Sequence, residues 1–488
     1  MPREMDLAPE TELRLELTPE AADTLLRSEL LPGAPTVAQQ RSIYFDTPRQ
    51  DLSAAGVSLR IRKTEDRRVQ TVKAAGTAAG LFAHPEWEKP VDSDVPVLDD
   101  MMPVKGLLGG VLYNFGPAFQ VFVERRSWTV TEEAAAIELV LDRGEVVAGD
   151  RRSTICEIEL ELKHGSPAAL YSFARRVQAI VPLEICVLNK AERGYRLLGA
   201  VARFHKSEPV TLTPDMNAGA AFQIIANACL RQFRLNEVLV DHFNTEALHQ
   251  ARVALRRLRS AFTIHKPILE GDETFKRLSE EVRWLAAELG AARDVDVLLA
   301  RADVNAIRAG LERARDEAYD NVEAALTSSR TRALMLDLSE WLAIGGWRWS
   351  GGAVEQPARD FAVPTLDRFR RRVKKRGRDL AEIDDEARHE LRKDAKKLRY
   401  ASEFFAPLFS EKRQRRRHKR FVDALETLQD KLGTLNDLVS VAEILSRVGL
   451  DKQPSATQLL NASGEKSMLV EAAAEAHDAA SDAKPFWR

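Results

Sequence analysis

Glu10-Thr11-Glu12-Leu13-Arg14 sets two carboxylates and a guanidinium at every second position. As a β-strand it turns Glu10, Glu12 and Arg14 to one face and Thr11, Leu13 and Leu15 to the other. Like charges side by side on a strand repel, so this face makes most chemical sense with a cation between the carboxylates and an anion near the arginine. Ile155-Cys156-Glu157-Ile158-Glu159-Leu160-Glu161-Leu162 repeats the device with Glu157, Glu159 and Glu161 on one face, and Glu86-Trp87-Glu88 repeats it again. Complementary cations stand on other short strands: Arg60 and Arg62 share a face of residues 57–63, Lys73 ends Gln70-Thr71-Val72-Lys73, and Arg125 lies within 120–128. If these strands close into a barrel, alternate side chains give a lumen with a carboxylate end and a basic lining. Such a lumen would cage a metal-bound phosphate chain, with carboxylates on Mg²⁺ or Mn²⁺ and arginines and lysines on the phosphoryl oxygens.

The elements that must position these residues fall in the first half of the chain. At 488 residues the length suggests two to four domains. A hydrophobic content of 44% and a charged content of 30% mark a folded, globular protein. Period-2 patterning dominates to about residue 205. A proline-bearing linker is expected over 206–217, and period-3.6 patterning follows over 218–488. The expected fold class is therefore α+β in two domains, a β domain followed by an all-α domain. Cys156, Cys186 and Cys229 are too few and too scattered for a disulfide framework or a zinc site and read as small buried hydrophobes. No apolar run is long enough to span a bilayer, and the first residues hold no apolar signal segment, so a cytoplasmic location is expected.

The first half resembles the CYTH domain of the triphosphate tunnel metalloenzymes. The resemblance rests on E-x-E-x-R at Glu10, Glu12 and Arg14, on Tyr44-Phe45-Asp46-Thr47, on Arg60 with Arg62, and on Lys73. It rests further on Glu86 with Glu88, Arg125, Asp142, the E-I-E-x-E strand and Lys190. It implies an eight-stranded antiparallel tunnel that hydrolyses a linear triphosphate with a divalent metal. Carried over, Glu10, Glu12, Glu157 and Glu159 are the metal ligands, and Arg14, Arg60, Arg62, Lys73, Arg125 and Lys190 contact the triphosphate. Glu86, Glu88, Asp142 and Glu161 support the lumen, and Glu10, Glu12, Arg14 and Glu159 carry the catalysis. Two positions depart from the family pattern. Arg14 stands where lysine is usual, and Val123 stands where a second basic residue is usual, so one phosphate contact is either missing or supplied elsewhere, with Arg126 as the candidate.

The second half contains an internal repeat. His249-Gln250-Ala251-Arg252-Val253-Ala254-Leu255-Arg256-Arg257-Leu258-Arg259 aligns without gaps to His389-Glu390-Leu391-Arg392-Lys393-Asp394-Ala395-Lys396-Lys397-Leu398-Arg399. Each copy is followed by a segment that reads as a turn, Leu289-Gly290-Ala291-Ala292-Arg293-Asp294 and Leu432-Gly433-Thr434-Leu435-Asn436-Asp437. On a helix, His249, Arg252, Arg256 and Arg259 line one arc, and His389, Arg392, Lys396 and Arg399 line its counterpart. Dense cations at 368–378 and 412–420 add to this, and together the clusters point to a groove for a polyanion. The repeat resembles the CHAD domain, which implies a helical bundle that binds inorganic polyphosphate. Nucleic acid is disfavoured, because the clusters interleave no aromatics for base stacking.

The expected function is metal-dependent hydrolysis of inorganic triphosphate to pyrophosphate and phosphate, with polyphosphate held on the helical domain and the protein associated with polyphosphate granules. Competing readings are a polyphosphate-binding protein with an idle tunnel, a thiamine or nucleoside triphosphatase, and an adenylate cyclase.

Overall fold

The computed structural model describes residues 11–74, 81–82, 86–98, 115–301, 305–452 and 463–488. The chain divides into two units, 1–202 with 332–344, and 203–331 with 345–488.

In the first unit β1 (Glu12–Glu16), α1 (Pro19–Leu26), β2 (Thr36–Asp46), α2 (Asp51–Ala54), β3 (Val57–Thr64), β4 (Arg67–Ala74), β5 (Leu81–Phe82) and β6 (Glu86–Pro90) come first. Then follow β7 (Gly116–Glu132), β8 (Ala135–Ala148), β9 (Arg151–His164), α3 (Ala168–Gln178), β10 (Glu184–Ile185) and α4 (Lys190–Leu198). The strands pair antiparallel in the order β10-β1-β9-β8-β7-β2-β3-β4-β6, with β5 on β1. The eight-stranded, closed detail of the expected tunnel is thus not borne out: among the described residues the path runs through nine strands, with β5 paired to β1 beside it. β5 pairs with β1 and β6 with β4, toward the two ends of the path.

Alternation works as the sequence implies. Val57, Leu59 and Ile61 of β3 bury against Phe45, Leu52 and Val72, which leaves Ser58, Arg60 and Arg62 on the opposite face. Two devices fix α4 against the sheet. Asn189 and Glu192 form a capping box that starts the helix at Lys190. A Cβ at Gly194 would come within 2.0 Å of the Phe119 ring, so only glycine lets α4 lie this close to β7. Phe119 also stacks on Tyr44, ring centroids 4.6 Å apart, and meets the edge of Tyr195 at 5.1 Å. Asp46 of the Tyr44–Thr47 motif accepts bonds from the Leu52 and Ser53 amides at the start of α2 and from the Tyr195 hydroxyl. Within this unit, Tyr171 of α3 lies 3.2 Å from the Ser339 hydroxyl.

The second unit is helical: α5 (Ala218–Glu237), α6 (Thr245–Ile264), α7 (Glu273–Arg301), α8 (Asn305–Leu326), the start of α9 (Ser329–Ile344), α10 (Ala358–Arg376), α11 (Asp385–Phe405), α12 (Lys412–Arg447) and α13 (Ser463–Asp482). The repeated segments are α6 and α11, which bury Ala251, Leu255 and Leu258, and Leu391, Ala395 and Leu398. The two segments expected as turns are instead helix interior, in α7 and α12. Neither glycine makes a bend, and each faces a repeat arginine at ordinary contact distance. A Cβ at Gly290 would sit 3.5 Å from the Arg252 guanidinium, and one at Gly433 3.9 Å from that of Arg392. Among the described residues no helix is long and apolar enough to cross a membrane.

Candidate functional site

A cavity of about 350 Å³ opens on the concave face of the sheet. β1 contributes Glu12 and Arg14, β3 contributes Arg60 and Arg62, and β4 contributes Thr71 and Lys73. Glu88 comes from β6, Arg125 from β7, Glu159 and Glu161 from β9, and Lys190 from α4. Ten residues singled out from sequence thus meet around one space. Glu10 lies outside the described residues, and of Glu86 only its backbone place opposite Lys73 is described.

Glu157 and Asp142 lie behind the wall, fully buried, and do not line the cavity. The Lys190 ammonium reaches between the acids, 2.5 Å from Glu157 Oε1, 2.8 Å from Glu159 Oε1 and 2.7 Å from Asp142 Oδ2. Arg125 donates twice to Asp142, at 2.8 and 2.6 Å, and once to Glu159 Oε2 at 2.8 Å. Arg14 donates to Glu12 at 2.5 Å and stands 3.6 Å from Glu159. Electrostatics follow from this contact set. Burial would raise the Glu159 carboxyl, but Lys190, Arg125 and Arg14 outweigh it and hold the group well below the usual carboxylate range. Burial would lower Lys190, and Asp142, Glu157 and Glu159 overcome that and raise it. Arg14 and Arg125 are raised in the same way, against burial, by their carboxylate neighbours. Glu157 goes up, because burial dominates and its Oε2 has no hydrogen-bond partner.

The carboxylate oxygens of Asp142, Glu157 and Glu159 lie within 4.8 Å of one another, close enough to hold a metal ion, but Lys190 already supplies a cation there. Two of the expected ligands, Glu157 and Glu159, belong to this cluster, and Lys190, which also lines the cavity, bonds both. On the cavity side Glu12 stands directly opposite Glu161 in the β1–β9 register, with Arg14 opposite Glu159. Two carboxylates as cross-strand partners repel unless a cation sits between them, and all-oxygen donors suit a hard divalent ion. Glu12 is met there by Arg14 and Glu161 by Lys163, each at 2.5 Å, and among the described residues the carboxylates close enough together to share an ion are those of Asp142, Glu157 and Glu159.

Arg126 does not fill the place left by Val123. It bonds Glu124 at 2.8 Å and is absent from the cavity wall, while Val123 joins an apolar cluster with Val121, Phe119 and Ala191. Sequence reasoning also passed over Thr71, which donates to Glu88 at 3.1 Å, and Tyr44, 3.5 Å from an Arg60 guanidinium nitrogen. Thr71 was readable from its alternation with Lys73, and Tyr44 from its motif.

A second pocket, about 400 Å³, lies within the helical unit. It joins the two repeats: His249, Arg252 and Arg256 from α6 face it with His389 and Arg392 from α11. From the segments misread as turns α7 adds Arg293 and Asp294 and α12 adds Asn436 and Asp437, and Arg447 comes from the end of α12. Asn436 Oδ1 accepts from His389 Nδ1 at 2.6 Å. Arg259 is exposed and Arg399 is engaged by Gln429, Glu403 and Glu426, so neither reaches this pocket. Lys396 lies outside its lining, yet burial and the nearby Arg256, Arg392 and Arg252 push its amine down to about 6. Arg252 and Arg392 are likewise lowered, chiefly by burial. Burial and then Arg293 push His249 down to about 4.

Comparison with known proteins agrees with both halves. Residues 8–195 match the CYTH domain model and residues 224–446 the CHAD domain model. The chain is a CYTH domain followed by a CHAD domain. Over 162 residues, 32% of this chain, it is 31% identical to an inorganic triphosphatase from Haemophilus influenzae, of whose length it spans 45%, less than half. The crystal structure of the CHAD domain from Ricinus communis matches with a TM-score of 0.50 and 27% identity, covering 57% of this chain and 97% of that one. A putative adenylyl cyclase from Hippeastrum, described as having a dominant triphosphatase activity, matches with 21% identity and a TM-score of 0.28, covering 38% of this chain and 96% of that one. The CYTH domain holds the antiparallel sheet and its buried acidic cluster, and the CHAD domain holds the helical bundle.

Proposed function

We propose that the CYTH domain hydrolyses inorganic triphosphate with a divalent metal, and that the CHAD domain binds inorganic polyphosphate. The observation that carries the first part is one cavity wall bearing both Glu12, Glu159 and Glu161 and the cations Arg60, Arg62 and Lys73. The likeness to an inorganic triphosphatase supports it.

Glu159, with Glu157 and Asp142 behind it and Glu12 at the cavity, would hold Mg²⁺ or Mn²⁺, which supplies Lewis acidity toward phosphoryl oxygens when bound. Arg60, Arg62 and Lys73 hold the oxygens of the phosphate chain and stabilise charge on the leaving pyrophosphate. Arg14, Arg125 and Lys190 keep Glu159 ionised and fixed, so it acts as a standing negative charge and not as a base. Glu88, bonded to Thr71 and 3.4 Å from Arg62, orients the attacking water and takes its proton. The two aromatic side chains in the wall are occupied: Tyr195 donates to Asp46, and Tyr44 stacks on Phe119. That leaves phosphate as the recognised chemistry, which favours tripolyphosphate over a nucleotide or thiamine ester.

A substrate panel tests this reading. Phosphate release from tripolyphosphate should exceed that from ATP and thiamine triphosphate at equal concentration with Mg²⁺ or Mn²⁺, and a preference for either ester would overturn the substrate assignment. For the CHAD domain, affinity for polyphosphate should fall steeply with salt, as multiple phosphate contacts require. Binding that ignores salt would contradict the reading. A cytoplasmic location on polyphosphate granules follows from this binding.

A further inference from the structure

The two densest cation runs of the CHAD domain do not enter its pocket. Residues 412–420 form the first turns of α12, and none of them lines the space between the repeats. They build a separate groove of about 720 Å³, lined by Lys412, Arg413, Arg416, Arg417, Arg420 and Lys484. Along α12, positions 412, 413, 416, 417 and 420 form one stripe, since residues three and four apart share a face. Lys412, Arg413, Arg416 and Arg420 are exposed, and among the described residues none has a carboxylate within ion-pair distance. Arg417 donates to the Arg488 carbonyl at 2.8 Å, and Arg488 in turn bonds Asp367 of α10 at 2.6 Å, so residues 483–488 form a fixed opposite bank. Repulsion within such a stripe goes unrelieved unless an anion lies along it. Four arginines offer paired donors that match phosphoryl oxygens, and no aromatic lines the groove for base stacking.

The same helix carries Asn436 and Asp437 into the inter-repeat pocket. From Arg420 to Asn436 is about 24 Å along α12, at 1.5 Å per residue. Exposed Asp423, Glu426 and Asp430 interrupt the basic character between them. The two basic regions are therefore separate stations and not one track.

We infer that the α12 groove is a second station for the polyphosphate chain, so that a chain long enough to reach both stations is held at two points and a shorter one at a single point. This rests on the polyphosphate reading of the CHAD domain. Two-point attachment makes the second contact intramolecular and raises affinity without any new chemistry.

The test uses the full chain with Lys412→Gln, Arg413→Gln, Arg416→Gln and Arg420→Gln combined, all exposed positions whose change leaves the bundle core intact. Binding is measured for long-chain polyphosphate and for a short chain whose extended length falls under the separation of the stations. Long-chain affinity should fall roughly 100-fold, short-chain affinity should stay within about twofold, and the salt slope for the long chain should lessen by about 3, at about 0.7 per phosphate contact. Equal losses for both lengths, or none, would overturn the inference. So would a variant that keeps polyphosphate but loses duplex DNA, which would assign the groove to nucleic acid. A companion variant, Arg252→Ala with Arg392→Ala, separates the two claims. If it loses both chain lengths while the groove variant loses neither, the second station falls and the polyphosphate reading stands. If the unaltered protein binds neither length, that reading falls and takes the second station with it.

Discussion

The two basic sites of this protein treat their cations in opposite ways. In the CYTH cavity Arg14, Arg125 and Lys190 are buried against Glu12, Asp142, Glu157 and Glu159, and each is raised above its ordinary pKa. In and beside the CHAD pocket Arg252, Arg392 and Lys396 are each lowered, first by burial, with Arg256 adding to it and Asp437 opposing it. The first site is charge-balanced before any ligand arrives, which preorganises its carboxylates. The second holds more cations than Asp294, Asp437 and Glu443 offset, and an anion relieves that excess on binding. A balanced mixture of acids and bases is suited to reaction, and a pocket with excess positive charge to capture.

The largest expected effect comes from breaking the balance. Lys190→Met leaves Asp142, Glu157 and Glu159 without their shared cation, which should destabilise the CYTH domain by about 3–5 kcal/mol in denaturant unfolding. Tripolyphosphate turnover should fall with it by about 10³-fold. A mild effect on both would mean the lysine is not the hub. Next in size, Arg252→Ala with Arg392→Ala should weaken polyphosphate about 100-fold, at about 1.5–3 kcal/mol per charge-assisted bond, and leave tripolyphosphate turnover unchanged. Loss of turnover in that variant would erase the division of labour.

A pH comparison sharpens the contrast. Lys396 titrates near 6 when folded and near 10.4 when unfolded, so between these values the unfolded chain binds more protons and stability rises with pH. Lys396→Met should therefore stabilise the protein most at and below pH 6, with the gain fading toward pH 10. Lys190 has the opposite sign. Its folded pKa is raised, so its contribution is complete below about 10.5 and is lost as pH climbs above that value. Thermal unfolding of Lys396→Met against the unaltered chain across this range checks the first slope, and a constant offset would contradict it. The smallest effect is expected outside both sites. Arg126 pairs with Glu124 at the surface, so Arg126→Ala should change stability by about 0.5 kcal/mol and turnover not at all.

Much of this arrangement was legible from periodicity. Period-2 alternation separated Arg60 and Arg62 from Val57, Leu59 and Ile61, and the helical period put His249, Arg252 and Arg256 on one arc. What alternation cannot show is depth. Glu157, Glu159 and Glu161 share a face, but register sets Glu157 beside buried Asp142 and Glu161 beside Glu12 at the cavity. The helical arc likewise cannot show where a pocket stops, and Arg259, two turns beyond Arg252, has already left it. Gly290 and Gly433 read as turn signals because glycine commonly marks a bend, yet both lie within helices.

The central proposal is that the carboxylates around Glu12 and Glu159 hold a divalent metal that the triphosphate reaction needs. Phosphate release from tripolyphosphate should be measured as Mg²⁺ or Mn²⁺ is titrated into metal-stripped protein, for the unaltered chain and for Glu12→Gln. The unaltered chain should be silent without metal and saturate with it, while Glu12→Gln should need far more metal and turn over about 10²-fold more slowly. Full turnover without any divalent metal, or a titration curve unchanged in Glu12→Gln, would contradict the account.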